Sequence, residues 1–93
     1  MDALRARFGE RLRDDLEQLT RAINGPDRIA MHRIAHRMSG AAGMFGYPHL
    51  SAQGSALEDA LDQNMLDEEV GEVAAVLITE LEQILSSLRP LAD

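Results

Sequence analysis

The sequence predicts an all-α protein, an antiparallel up-down-up-down four-helix bundle, on three observations. Apolar residues recur at steps of three and four along four separate stretches, the repeat of an amphipathic helix. No stretch sustains a period-two alternation, and no Asn-Gly or Asp-Gly pair joins two β-branched runs, so a sheet has no support. The chain is 45% hydrophobic but only 3% aromatic, and an apolar mass of Leu, Ala, Ile, Val and Met favours helices.

The first stretch carries Leu4, Phe8, Leu12, Leu16, Leu19 and Ile23, with Asn24-Gly25 read as a left-handed stop. Pro26 suits the first turn of a second helix running from about Asp27 to Met44, and Gly46-Tyr47-Pro48 marks the next turn. The third places Leu50, Leu57 and Leu61 on one side with Ala56 and Ala60 beside them, contains an interior Gly54, and fades at Asp62-Gln63-Asn64. In the fourth, Asp67 reads as an N-cap and Glu68 and Glu69 as an acidic first turn, a solvated helix start that extends to Glu72. Val70, Val73, Leu77, Leu81, Ile84 and Leu88 follow, and Pro90 ends the helix. Helices of roughly 17 to 22 residues are about 25 to 33 Å long, and their short connections make neighbours antiparallel.

Ninety-three residues are enough for one small domain spanning 1–93 and no more. The absence of cysteine excludes disulfides, thiolate metal sites, cysteine nucleophiles and iron–sulfur clusters. Nine arginines against sixteen acidic residues give a net charge of -7, which repels a phosphate backbone or an anionic membrane. Nucleic-acid binding is therefore not expected. No apolar run approaches a bilayer span and the first residues are too charged for a signal peptide, so membrane insertion is not expected and a cytoplasmic protein is. Met1 and the full helix count suggest a stand-alone protein rather than a helical fragment of a larger enzyme.

The second helix carries most of the chemical information. At about 100° per residue, Met31, Ile34, Met38, Ala41, Ala42 and Phe45 lie broadly opposite His36, on the side a bundle core would accept. His36 then faces outward. Its own side carries His32 one turn earlier, Arg33, and then Ser39, Gly40 and Gly43. Each interior glycine disfavours a helix by about 1 kcal/mol relative to alanine. Close helix approach would explain glycines on the core side; on the histidine side they clear space around an imidazole. An exposed neutral imidazole is a competent nucleophile near neutral pH.

The stretch Ala35-His36-Arg37-Met38-Ser39-Gly40-Ala41-Ala42-Gly43-Met44-Phe45-Gly46, followed by Leu50, Ala52, Leu57 and Glu58, resembles the histidine-containing phosphotransfer (HPt) domain. The local motif covers about a quarter of the chain, while the length and helix pattern agree over nearly all of it. The resemblance implies that His36 is the phosphoacceptor, that Gly40 opens its surroundings and that Gly46 ends the motif. It further implies a phosphocarrier rather than an independent kinase, and the chain carries no Walker-type phosphate loop and no kinase motif. The implied partners are response-regulator receiver domains, a hybrid histidine kinase, or both. No intrinsic cofactor is implied, the Mg²⁺ being supplied by the partner receiver.

Family members commonly carry a lysine three residues after the histidine; here that position is Ser39, which can donate a hydrogen bond but cannot neutralise charge. Arg33 and Arg37 are the candidate compensating cations, with Arg33 projecting closer. His32 reads as a neighbour that tunes His36 or meets the partner. Gly43, Met44 and Gln53 are candidate partner-facing residues, and Phe8 is assigned to the core. The alternative is a helical module that binds a receiver or kinase and transfers nothing.

His32 and His36 at i and i+4 could also hold a divalent metal. Two ligands are too few, no HExxH signature exists and no acidic residue occurs between Asp27 and Glu58, so no metal site is expected. His49 reads as a loop or helix-start residue. Ser39, Ser51 and Ser55 lack a G-x-S-x-G elbow and an acid partner, which argues against nucleophilic serine.

Overall fold

A computed structural model describes residues 2–88, with side chains described throughout except at residues 2, 4 and 5. It contains four helices, α1 (Asp2–Asn24), α2 (Arg28–Met44), α3 (Pro48–Asp62) and α4 (Asp67–Ser87), and no strand among the described residues. Helices α1 and α3 each pack on both α2 and α4, closing a four-membered ring. Between α2 and α3 the contacts His32–Asp62, His36–Glu58 and Ser39–Ser55 run in opposite chain directions. Between α1 and α2, Phe8–Phe45 and Asp15–Arg37 do the same, so both pairs are antiparallel.

The core follows the apolar stripes. Leu12 and Leu19 of α1, Ile34 and Met38 of α2, Leu50 and Leu57 of α3, and Leu77 and Leu81 of α4 are its largest fully buried side chains. Burying a leucine side chain contributes roughly 1.5–3 kcal/mol, so these residues outweigh any surface pair in holding the ring closed. Two residues assigned to the apolar sides behave differently. Ala56 is exposed. Phe45, the C-cap of α2, is 39% exposed and stacks on buried Phe8 at a centroid distance of 4.3 Å, with Tyr47 on the same ring at 5.5 Å. Extrapolating the α2 projection to Phe45 fails because the helix ends one residue earlier. The Leu4 side chain and Pro90 lie outside the described residues.

Three helix ends depart from expectation. Pro26 follows the end of α1 as a turn residue, and with its φ held near -65° and no N–H it prevents a left-handed closure there. Helix α2 begins after it, with the Asp27 side chain accepting from the Ala30 N–H at 3.1 Å. The left-handed positions are Gly46 (φ 84) and Asn64 (φ 57). Each closes a Schellman motif, through Tyr47 N–H to Ala42 C=O at 2.9 Å and Met65 N–H to Ala60 C=O at 3.1 Å. At α4 the N-cap residue is Leu66, not Asp67; Glu69 accepts from the Leu66 N–H at 3.3 Å, while Asp67 accepts from Arg28 of α2 at 2.6 Å. The rest of the acidic start, Glu68, Glu69 and Glu72, is exposed as expected.

Gly54 explains why α2 and α3 form the tightest pair. It is buried, and a Cβ there would stand 3.0 Å from the Ala35 carbonyl oxygen, 3.2 Å from the Ser39 nitrogen and 3.3 Å from the Ser39 Cα. Because all three atoms are helix backbone, only glycine lets the two helices lie this close. That approach brings the functional side chains of α2 and α3 within hydrogen-bonding reach of one another.

Candidate functional site on the second and third helices

His36 stands on the outer face of α2 with its side chain 75% exposed. Its Nδ1 lies 2.7 Å from Oε2 of Glu58 on α3, whose side chain is mostly buried. An ionised carboxylate only accepts, so Nδ1 carries the proton and donates. In the neutral ring the lone pair is then on Nε2, the nitrogen turned away from Glu58. One turn further along α2, a Cβ added at Gly40 would meet nothing within 4 Å. The site therefore combines an oriented ring, a defined tautomer and open space for a bulky electrophile. Among the described residues no helix is long and apolar enough to cross a membrane.

A family model described as Hpt domain matches residues 3–89, nearly the whole chain. The chain belongs to the Hpt domain family. As an Hpt domain it is a histidine phosphotransfer module of two-component signalling. No curated protein and no solved structure is significantly similar to it.

The neighbours singled out in this Hpt chain separate into several environments. Ser39, at the position where a lysine is common, is turned into the α2–α3 seam: its Oγ lies 2.8 Å from Ser55 Oγ, and its carbonyl accepts from Ser51 Oγ at 2.7 Å. Its hydroxyl is thus engaged away from the open side of His36. Arg37 reaches in the other direction, donating to Asp15 Oδ1 of α1, a carboxylate 2% exposed. Burial raises the Asp15 pKa above the usual carboxylate value, and the hydrogen bond and charge of Arg37 pull against that rise. Arg33 is exposed and fronts the groove between α1 and α2 with Gln18 and Arg21.

His32, one turn before His36, approaches α3 as well, with Nε2 2.9 Å from Asp62 Oδ1 and 3.8 Å from Glu58 Oε2. The two-ligand count that set a metal aside considered α2 alone; the packing of α3 adds two carboxylates to His32. At the far end of α2, Met44 is 85% exposed and Gly43 is open, a Cβ there meeting only Ser51 Oγ at 3.7 Å. Gln53 is half-buried on α3, and His49 is exposed at its start, apart from the His32 cluster.

The sequence reading gave no role to Glu58, Asp62, Asp15 or Gly54. Glu58 and Asp62 are four apart on α3, just as His32 and His36 are on α2, but matching two such pairs needs the interhelical register. Gly54 did carry a signal, as an unexplained glycine inside a helix.

Proposed function

We propose that this chain is a phosphocarrier that relays a phosphoryl group between receiver-domain aspartates through Nε2 of His36. The observation that carries the reading is the His36–Glu58 hydrogen bond beside the vacant surface of Gly40. The Nε2 lone pair attacks the phosphorus of an aspartyl phosphate. The N–P bond forms, the P–O bond to the aspartate breaks, and its electron pair leaves with the carboxylate. No proton has to leave Nε2. The ring becomes a phosphoimidazolium whose positive charge faces the Glu58 carboxylate through Nδ1–H, and reversal of the same step returns the group to a second receiver. The partner receiver's own carboxylates hold the Mg²⁺ that neutralises the transferring group. This chain contributes an oriented nitrogen, the proximity part of the catalysis.

The exposed end of α2, with Gly43, Met44 and the rim of Phe45, together with Gln53 of α3, is the surface offered to the receiver or to a hybrid histidine kinase. With Arg37 committed to Asp15, Arg33, which fronts the groove between α1 and α2, is the remaining candidate for a compensating positive charge. The expected setting is the cytoplasm. A second reading, docking without transfer, is favoured by one observation: Ser39 replaces a cation and is tied into the helix seam. Incubation with a phosphorylated receiver and Mg²⁺ separates the two. The relay reading expects an acid-labile phosphate on this chain that is absent in His36→Gln; binding without labelling would leave only the docking module.

A further inference from the structure

Beside His36 lies a second constellation, two of whose three members, His32 and Asp62, have no part in phosphotransfer. His32 Nε2, a carboxylate oxygen of Glu58 and one of Asp62 all lie within 4.8 Å of one another. The helical repeat sets both halves of this arrangement. Glu58 and Asp62, four residues apart, point the same way from α3, and the Gly54 contact holds α2 near enough for His32 to complete the triangle. All three ligands stand on helices rather than loops, so the geometry is largely pre-formed.

We propose that His32, Glu58 and Asp62 form a binding site for a divalent transition-metal ion of the zinc class, and that occupancy of this site weakens the hold of Glu58 on His36. Imidazole nitrogen and carboxylate oxygen are both zinc donors, and three protein ligands leave a fourth position for water, as in open zinc sites. With metal–ligand bonds of about 2.0–2.2 Å, tetrahedral donors stand roughly 3.4 Å apart. The observed His32 Nε2 separations of 2.9 Å from Asp62 and 3.8 Å from Glu58 straddle that value, so small side-chain rotations suffice. Asp62 is 62% exposed on its side chain and His32 38%, which leaves the fourth position open to solvent. A nitrogen donor selects against Mg²⁺, which prefers an all-oxygen shell, so the ion is distinct from the one a receiver brings.

The link to reactivity is Glu58. Its Oε2 is the atom that holds His36 Nδ1 at 2.7 Å, and it also faces His32. A divalent cation on this carboxylate draws its charge away from the imidazole and competes for the same oxygen. The phosphoimidazolium then loses its counter-charge and transfer slows. This second half rests on the phosphocarrier reading; the binding half does not.

The test therefore begins without a receiver. Zinc chloride titrated calorimetrically into chelator-treated protein should give one site per chain, and cobalt(II) should show the intense visible absorption of a tetrahedral complex. His32→Gln and Asp62→Asn should each weaken zinc binding at least tenfold, while His49→Gln leaves it unchanged. Thermal melts of the variants confirm folding, and at a zinc concentration that saturates the unaltered chain, zinc should raise the melting temperature of that chain and of His49→Gln more than those of His32→Gln and Asp62→Asn. Absence of zinc binding to the folded chain, or unchanged affinity in both His32→Gln and Asp62→Asn, overturns the site and leaves His32–Asp62 as a hydrogen bond only. At constant Mg²⁺, zinc should slow labelling from a phosphorylated receiver in the unaltered chain but not in Asp62→Asn. Zinc binding with unaltered labelling overturns the coupling. Failure of the zinc-free chain to become labelled in the presence of Mg²⁺ overturns the phosphocarrier reading instead, with the binding result intact.

Discussion

Toward α1, helix α2 presents Arg37 to Asp15, a carboxylate almost wholly removed from water; toward α3 it presents His32 and His36 to Glu58 and Asp62 at the surface. Both sides are polar contacts of a carboxylate between neighbouring helices, yet they differ in what removal of a partner would do. A buried carboxylate has no water to replace a lost guanidinium, so the Asp15–Arg37 pair is a structural commitment. In the His36–Glu58 pair the imidazole stays hydrated while Glu58 is only partly so, which makes its contribution to folding smaller and leaves one ring nitrogen free. Exposure separates an ion pair that keeps helices together from a hydrogen bond that keeps a nucleophile aimed.

The largest effect expected along this contrast is that of Arg37→Met. Orphaning the Asp15 carboxylate should cost about 3 kcal/mol at neutral pH, read by chemical denaturation. The pH dependence follows from the raised pKa of Asp15, caused first by burial. A carboxyl that holds its proton more tightly when folded contributes stability that is complete below its unfolded value and is lost as pH rises through its folded value. The Arg37→Met penalty should therefore shrink on acidification toward pH 4; a penalty independent of pH would mean that Asp15 is not its origin.

Gly54→Ala should come next, at about 2 kcal/mol, because the added Cβ meets backbone of Ala35 and Ser39 that cannot rotate away. If helix separation is what positions the site, the same substitution should slow phosphotransfer even in the fraction that remains folded. Normal transfer at reduced stability would uncouple the seam from the site.

Glu58→Gln should show the opposite balance. Its melting temperature should stay near that of the unaltered chain, while the transfer rate falls by about tenfold, the amide still orienting Nδ1–H but no longer opposing its charge. A large loss of stability in Glu58→Gln would erase the distinction between the two faces of α2.

Much of the fold was legible in advance because amphipathic repeats report directly on which side of a helix is removed from water. The fold class, the four segments, the outward direction of His36 and the bareness around Gly40 all follow from a period of 3.6 within one element. Helix ends were less legible. Asn24-Gly25 looks like a left-handed stop, but Pro26 at the following position forbids it, and the left-handed residues are Gly46 and Asn64. Ser39 and Arg37 were read as neighbours of a phosphoryl group; the structure engages one with Ser55 and the other with Asp15.

By itself, the sequence determined that this chain forms amphipathic helices and that one of them carries an unobstructed histidine, since both are consequences of residue spacing along a single helix. Only the tertiary structure decided which residues attend that histidine. Glu58 lies 22 positions from His36 and Asp62 lies 30 from His32. Their meeting depends on the register and separation of two antiparallel helices, quantities set by packing around Gly54 and absent from the periodicity of either helix alone.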